Sequence, residues 1–253
     1  MLGVTSPEWS SFLGDVKAAN DALGDPDVIW YRGHPDVDHY LLATLLRYTN
    51  GLNKERQLFG SFQKFSDKIF KRRTSDWETL FEMQHYGVPT RLLDWTESFG
   101  VALFFAAYYN KRRASAKDAA IYLLSPQRLN KYSGINRIYR IPDDEKDFPY
   151  KGIYWNQSPF AAAAPIAIEP IFINDRMLAQ RGMFTVHHDD EDIKPIETEF
   201  PQAVQKVVIP NNIMAAAMDF LSLTNINEYS VFPDLAGIAG YLKRESDLMP
   251  RWP

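Results

Sequence analysis

The sequence predicts an α+β fold, a single domain in which helices flank a mixed central sheet. The chain has 253 residues, of which 45% are apolar, so it is long and apolar enough to bury one sizeable core. Amphipathic helical stripes and short runs rich in β-branched and aromatic residues follow one another in no regular order. One segment, 98–110, is apolar on nearly all sides, which is typical of a helix at the centre of a fold.

The first half of the chain carries clear start and stop signals. Ser6 and Pro7 begin a helix, Gly33 ends a β-rich run, and Gly87 with Pro89 ends another helix. Helices are predicted over 7–23, 55–73, 76–86 and 98–110, and strands over 27–33, 90–95 and 119–124. The helix over 55–73 has a basic end, which indicates either a solvated surface or a contact with phosphate or nucleic acid. The lysines and arginines concerned are Lys64, Lys68, Lys71, Arg72 and Arg73.

The second half is less regular. Residues 125–160 are polar and contain three prolines, so they are interpreted as an irregular insertion or a lid. Strands are predicted over 166–173, 183–187 and 205–209, and helices over 210–221 and within 223–242. No stretch reads as a linker, so residues 1–253 are treated as one domain.

Composition excludes several classes of protein. There is no cysteine, which rules out a disulfide framework, a thiolate metal site and a cysteine nucleophile. The formal net charge of −4 argues against a chain that is basic throughout. The start lacks the pattern of a signal peptide, and no apolar run is long enough to cross a membrane, so a soluble cytoplasmic protein without membrane partners is expected. His187 and His188 are adjacent, so in a strand they would point to opposite faces, and no metal site is predicted.

Three clusters of polar residues stand out. The first is Trp30-Tyr31-Arg32-Gly33-His34, in which a charged side chain ends a buried strand. The second runs over 84–96, where hydrogen-bonding side chains surround a Gly/Pro turn, and the third over 176–184. A charge at a buried strand end is costly without a partner, so Arg32 either meets an internal carboxylate or presents its guanidinium to a phosphate or carboxylate of a ligand.

A purely structural interpretation accounts for the same residues one at a time. Asp94 can pair with Arg91 or with Arg32 as buried scaffolding. His85 and Trp95 can both be core residues. Taken together, however, polar groups at strand ends beside a central apolar helix indicate a binding site.

The residues also resemble a known family. YRGH at 31–34 and QHYGVPTRLLDWTESFGVALFFAAY at 84–108 resemble the FRG domain, which takes its name from an aromatic-Arg-Gly motif. RMLAQRGMFTVHH at 176–188 and FPDLAGIAGYL at 232–242 fit the same pattern. The resemblance spans about 28–242, nearly the whole chain.

A strand that ends in Tyr-Arg-Gly is also similar to the first core strand of the arginine-class ADP-ribosyltransferases. This resemblance implies that Arg32 holds the phosphates or the adjoining ribose of NAD, the substrate. It further implies a second strand that ends at Thr96 and leads into the helix at 98–110. The residues expected to bind NAD are Tyr31, Arg32, Gly33, His34, Tyr86, Arg91, Asp94, Trp95 and Thr96.

The sequence departs from that class at its catalytic glutamate. The best-matching position is Gln180, which can hydrogen-bond a ribose hydroxyl but carries no charge. Glu169, in a predicted strand, is the other candidate. His85 is a candidate base toward an acceptor, because an ordinary imidazole titrates near neutral pH. Arg32, His85, Gln180 and Glu169 are therefore the candidate catalytic residues.

Two functions of different classes remain open. The first is an ADP-ribosyltransferase or NAD-cleaving enzyme, such as a toxin or a phage-defence effector, with nucleic acid or protein as acceptor. The second is a non-catalytic module that binds a nucleotide or nucleic acid. A glutamate within reach of Arg32 and Thr96 would favour the enzyme. An Arg91–Asp94 pair without such an acid would favour the module.

Overall fold

A computed structural model describes residues 3–70, 74–111, 117–172, 174–189 and 194–246. Its strands are β1 (Trp30–His34), β2 (Leu92–Thr96), β3 (Ala119–Leu124), β4 (Tyr139–Ile141), β5 (Ile166–Pro170), β6 (Gly182–Val186) and β7 (Val204–Ile209). They form one sheet in the order β4-β5-β6-β2-β1-β3-β7. Only the β4–β5 pair is parallel, so the sheet is mixed. The prediction of an α+β fold with a mixed central sheet is confirmed.

Helices cover both faces of this sheet. They are α1 (Pro7–Ala22), α2 (Gly51–Phe70), α3 (Asp76–His85), α4 (Phe99–Lys111), α5 (Pro126–Lys131), α6 (Tyr150–Asn156), α7 (Asp175–Gln180), α8 (Ile196–Glu199), α9 (Met214–Leu223), α10 (Glu228–Val231) and α11 (Leu235–Glu245). One core lies between β1, β3 and β7 and the helices α1, α4 and α9. A second core lies between β2, β5 and β6 and the helices α2, α3 and α6.

Helix α4 is the central helix that its composition predicts. Ala102, Leu103 and Ala106 are fully buried, and the helix packs directly on β1. Gly33 makes this packing possible, because a Cβ at this position would lie 1.7 Å from the backbone oxygen of Ala102. The glycine that follows Arg32 therefore sets the distance between β1 and α4.

Strands β1 and β2 are joined less completely than their neighbours. All of β1 is paired with β3, and all of β2 is paired with β6. Between β1 and β2 the pairing is limited to Tyr31 and Thr96. The centre of the sheet thus contains an opening between two adjacent strands, and its side chains are held in place from both sides.

Local capping explains where several helices begin. The Ser6 side chain accepts from the backbone of Trp9 at the start of α1, and Ser75 with Glu78 forms a reciprocal capping box at the start of α3. The Ser98 side chain accepts from the backbone of Val101 in the first turn of α4. The predicted helices over 7–23, 76–86 and 98–110 are confirmed to within one residue at each end.

Residues 125–160 differ from the prediction of an irregular insertion. They form α5, β4 and α6, and Phe148, Tyr150 and Ile153 are buried in the second core. Aromatic residues spaced along a polar, proline-containing stretch supply this packing, which composition alone does not reveal. The predicted helix over 210–221 is a short 3₁₀ turn followed by α9. The predicted helix over 55–73 corresponds to α2, and its last residues, 71–73, lie outside the described part of the chain.

Candidate functional site

The opening between β1 and β2 is a cleft of about 220 Å³. It is bounded by the two strands, by α4 and by α7, and it continues into a smaller chamber of about 70 Å³ beside α3 and β6. Seven residues predicted from the sequence line the cleft: Tyr31, Arg32, Gly33, Asp94, Trp95, Thr96 and Gln180. The structure therefore brings three residues of the first polar cluster, four of the second and two of the third into one place.

Arg32 crosses the opening from β1 to β2. Its Nη1 donates to the backbone oxygen of Asp94 at 2.5 Å and lies 3.7 Å from the Asp94 Oδ2. The Arg32 side chain is 19% exposed, whereas that of Asp94 is 56% exposed. Burial lowers the pKa of Arg32, the Asp94 carboxylate opposes this shift, and the positive charge of Arg47 adds to it. Arg32 is thus a half-buried cation at the cleft whose carboxylate partner is solvated.

The Asp94 carboxylate is held by a chain of hydrogen bonds. Gln84 Nε2 donates to Asp94 Oδ2 at 2.9 Å, and the Thr90 hydroxyl donates to Gln84 Oε1 at 2.5 Å. The Thr90 hydroxyl also accepts from the backbone of Leu92. Because each member is fixed by the next, the Asp94 carboxylate has a defined position at the rim of the cleft.

Aromatic and hydroxyl side chains form the inner walls. The Tyr31 ring meets Phe99 edge-on at 5.8 Å, and Trp95 is 3% exposed, with its Nε1 donating to the Thr185 hydroxyl. The Thr96 hydroxyl donates to the backbone oxygen of Gln180 at 2.5 Å, which ties the end of β2 to the end of α7. Trp95 is therefore mainly a core residue that presents only part of its surface to the cleft.

Gln180 lies in the cleft at the position where the sequence departs from the ADP-ribosyltransferase pattern. Its Nε2 donates to the backbone oxygen of Val231 at 3.2 Å, so α7 and α10 are joined at this wall. Gln180 also borders the smaller chamber, so it lies between the two spaces.

The smaller chamber contains His85. Its other lining residues include Phe81, Met177 and Met183, so the imidazole borders an apolar space. Burial lowers the pKa of His85, and the positive charge of Arg176 lowers it further. Its neighbour Tyr86 is 68% exposed and meets His85 edge-on at 4.8 Å, outside both chambers.

Two further arginines lie near the opening, Arg176 in its lining and Arg47 outside the lining but close enough to lower the pKa of Arg32. Arg176 lines both the cleft and the smaller chamber, and its guanidinium lies 4.8 Å from the centre of the Phe232 ring. Arg47 donates to the backbone oxygen of Leu42. Within the described part of the chain, neither Arg47 nor Arg176 forms an ion pair. Positive charge without a carboxylate partner therefore accumulates around this opening.

Four predicted site residues lie outside both chambers: Tyr86, Glu169, His34 and Arg91. Glu169 is on β5, where it pairs with Arg140 at 3.4 Å, and it lines neither chamber. His34 stacks on His39 with ring centroids 3.5 Å apart, and it also lies outside both chambers. Glu169 belongs to a strand on the far side of β6, and the sheet order that separates it from β1 is not readable from the sequence.

Arg91 belongs to a different cluster, so the suggested Arg91–Asp94 pair is wrong. It binds Glu55 of α2 through two hydrogen bonds of 2.6 and 2.5 Å, and it also binds Asp189 at 2.7 Å. Glu55 further accepts from Tyr150 and Trp155. Burial alone would lower the pKa of Arg91, but the hydrogen bonds and charges of Glu55 and Asp189 raise it. The cluster lines a separate cavity of about 450 Å³.

Asp94 is the one carboxylate among the described residues that line the cleft or its smaller chamber. No glutamate is among those lining residues, and the Asp94–Arg32 pair is confirmed as the alternative to Arg91–Asp94. The arrangement can bind an anion through the arginines and can offer one fixed carboxylate to a ligand.

Four cleft residues were not predicted as site residues: Gln84, Val101, Phe105 and Arg176. Gln84 and Arg176 are the first residues of the second and third polar clusters, so their position in those motifs is the available signal. Val101 and Phe105 lie on an apolar helix, where nothing in the sequence separates a site wall from the core.

Neither a metal site nor a membrane span emerges from the described ranges. No group of three or more side chains there could hold a metal ion. No helix in that part of the chain has the length and apolar character needed to cross a bilayer.

Part of the chain that forms the cleft is similar to a known protein family. Residues 27–115 match the family model of the FRG domain. The matched segment contains β1, β2 and α4, with the YRGH string and the longer string at 84–108, whereas the strings at 176–188 and 232–242 lie beyond it. Searches of curated proteins and of solved structures found no significant match. The similarity to the FRG domain therefore covers residues 27–115, which include the Arg32-Gly33 motif and most of the residues that line the cleft.

Proposed function

We propose that the cleft between β1 and β2 binds a phosphorylated nucleotide, and that this nucleotide is NAD. The observation that carries the proposal is Arg32, a half-buried cation that faces the cleft beside aromatic side chains and a second arginine, Arg176. A desolvated guanidinium binds phosphate through paired, charge-assisted hydrogen bonds. Aromatic walls favour the flat rings of a nucleotide.

In this proposal each wall of the cleft would contact one part of the nucleotide. Arg32 and Arg176 would hold the diphosphate, and Tyr31 with Phe105 would contact a planar ring. Because Gln180 Nε2 already donates to Val231, its Oε1 is the atom with which it would accept a bond from a ribose hydroxyl. The guanidinium of Arg32 would exchange the solvated Asp94 carboxylate for the ligand's phosphate.

A second candidate function, cleavage of NAD or transfer of its ADP-ribosyl group, is favoured by Asp94. In hydrolysis the bond between the ribose C1′ and the nicotinamide nitrogen breaks, nicotinamide leaves with the bonding electrons, and water adds at C1′ while releasing one proton. A fixed carboxylate stabilises the positive charge that develops on the ribose. His85, whose pKa is lowered by burial and by Arg176, would be neutral at pH 7 and could accept that proton.

The residues that line the cleft favour binding of NAD over its cleavage. A glutamate beside Arg32 and Thr96 would support catalysis directly, and the described lining residues contain none. Asp94 shares its carboxylate with Gln84 and lies 3.7 Å from Arg32, so part of its charge is already neutralised. Binding is therefore the function that the geometry supports best, and cleavage requires Asp94 to act in place of glutamate.

The test separates binding from cleavage. Purified protein is incubated with NAD, and both the thermal shift and the nicotinamide released are measured, with and without DNA, RNA or protein acceptors. If NAD binds, it should raise the melting temperature of the wild type, and Arg32→Ala should abolish this thermal shift. The control variant Arg140→Ala, which alters an exposed ion pair far from the cleft, should retain it. Nicotinamide release that Asp94→Asn abolishes would add the catalytic function. A wild-type protein with no thermal shift and no release would refute both.

A further inference from the structure

Arginines and exposed tyrosines lie in and around the cleft. At one end lies Arg47, in the turn at 44–47. This turn is held beside β2, because the Leu45 backbone donates to the backbone oxygen of Thr90 at 3.0 Å. Arg32 and Arg176 both line the cleft, and Arg176 shares the smaller chamber with His85. Tyr86 contacts His85 at the other end. These residues form a row that runs from Arg47 through the cleft to Tyr86.

Two tyrosines in this row expose most of their surface. Tyr86 is 68% exposed, and Tyr48, which directly follows Arg47, is 59% exposed. The flat face of an exposed aromatic ring can stack on a base of any sequence. The row therefore has one exposed aromatic ring at each end, with arginines between the two rings.

The charges along the row complement a chain of phosphates. Two carboxylates interact with these residues: Asp94 with Arg32, and Asp234 with His85. Asp94 is engaged by Arg32 and Gln84, and Asp234 accepts from the Gly237 backbone at the start of α11. Arg47 lines neither the cleft nor the smaller chamber, so it lies outside the space in which the nucleotide is proposed to bind.

We propose that this row, from Arg47 and Tyr48 past Arg32 and Arg176 to Tyr86, binds a single strand of nucleic acid. Arginines would contact successive phosphates, and Tyr48 and Tyr86 would stack on unpaired bases at either side of the cleft. A duplex would not satisfy the tyrosines, because its bases are already stacked on one another. The proposal goes beyond nucleotide binding in the cleft and assigns nucleic acid, rather than protein, as the macromolecular partner.

The test uses fluorescence anisotropy with labelled 12-nucleotide single strands of DNA and RNA. Wild-type protein should bind them with a slope of log affinity against log salt near −2, since three phosphate contacts on a single strand contribute about 0.7 each. The double variant Arg47→Ala/Tyr48→Ser, and separately Tyr86→Ser, should weaken binding about tenfold or more. Arg140→Ala and Tyr132→Ser alter an exposed arginine and tyrosine outside the row and should bind as wild type does.

Several results would overturn this proposal without touching NAD binding. They are absence of binding to any single strand, equal binding of the row variants and the controls, or equal binding of a duplex or of polyglutamate. Because Tyr48 and Tyr86 do not line the cleft, their variants should retain the NAD-induced thermal shift. Loss of oligonucleotide binding in the Tyr48 and Tyr86 variants, with the NAD-induced thermal shift retained, supports nucleic-acid binding by the row. Loss of the NAD-induced thermal shift in Arg32→Ala bears instead on NAD binding in the cleft.

Discussion

The guanidinium of Arg32 on β1 donates to the backbone oxygen of Asp94 on β2 at 2.5 Å, across the opening where these two strands are no longer paired. This contact joins the sheet's two halves beside the cleft. It also places a cation where a ligand could reach it, since the partner carboxylate is more than half exposed. The same residue therefore contributes to the fold and to the proposed site.

Replacing Arg32 should separate these two contributions. Arg32→Ala removes one backbone hydrogen bond and leaves Asp94 in solvent, so the protein should stay folded and lose only about 1–2 kcal/mol of unfolding free energy. Denaturant titration measures this loss. A loss above about 4 kcal/mol would show that Arg32 is mainly a structural partner of Asp94.

Asp94→Asn tests what the Asp94 carboxylate contributes to NAD binding and to NAD cleavage. The variant removes the anion that competes with phosphate for Arg32, so NAD should bind at least as tightly as in wild type. If the protein cleaves NAD, nicotinamide release should fall by about 100-fold or more, which is the scale on which removing one transition-state contact acts. Release at the wild-type rate would exclude Asp94 from catalysis.

The buried Arg91–Glu55 pair should matter to stability and not to the ligand. Arg91→Met leaves Glu55 unpaired among Tyr150 and Trp155, and breaking a buried pair costs about 3–5 kcal/mol. Thermal melts should show a large fall in Tm, with the NAD-induced shift retained in the fraction that folds. Arg140→Met, which breaks an exposed pair, is the matched control and should change stability by less than about 1 kcal/mol.

Gly33 should tolerate no side chain. The Cβ of Gly33→Ala would lie 1.7 Å from the Ala102 oxygen, so β1 and α4 must move apart and stability should fall by several kcal/mol. Gly14→Ala, in α1, meets no atom within 4 Å and should stabilise the protein by about 0.5–1 kcal/mol. Equal melting temperatures for the two variants would contradict the close packing of β1 and α4.

His187 should make stability dependent on pH. Burial lowers its pKa to about 3, so between pH 6.5 and pH 3 the unfolded chain binds a proton that the folded protein does not. Stability contributed by neutral His187 is complete above its unfolded pKa and is lost as the pH falls. From pH 8 to pH 5 the loss should be about 2 kcal/mol. In His187→Leu that part of the pH dependence should disappear from denaturant titrations, and an unchanged profile would contradict it.

Periodicity and capping residues predict most of the helices and strands, because these signals are local. The composition of α4 correctly predicts its central place. The pairing of Arg32 with Asp94 is one of two alternatives that the sequence leaves open. The partners of Arg91 could not be predicted, because Glu55 and Asp189 approach it only after α2 and the end of β6 pack together. The sequence also predicts Glu169 as a site residue, whereas it lies on β5, away from the cleft. Strand order depends on long-range pairing that local sequence does not encode.

The central claim is that Arg32 holds the phosphates of a nucleotide in the cleft, and titration calorimetry with NAD tests it most directly. The account predicts saturable binding to the wild type and to Arg140→Ala, with affinity at least tenfold weaker in Arg32→Ala while that variant remains folded. Equal affinity in wild type and Arg32→Ala, or no heat of binding in any of the three proteins, would contradict it.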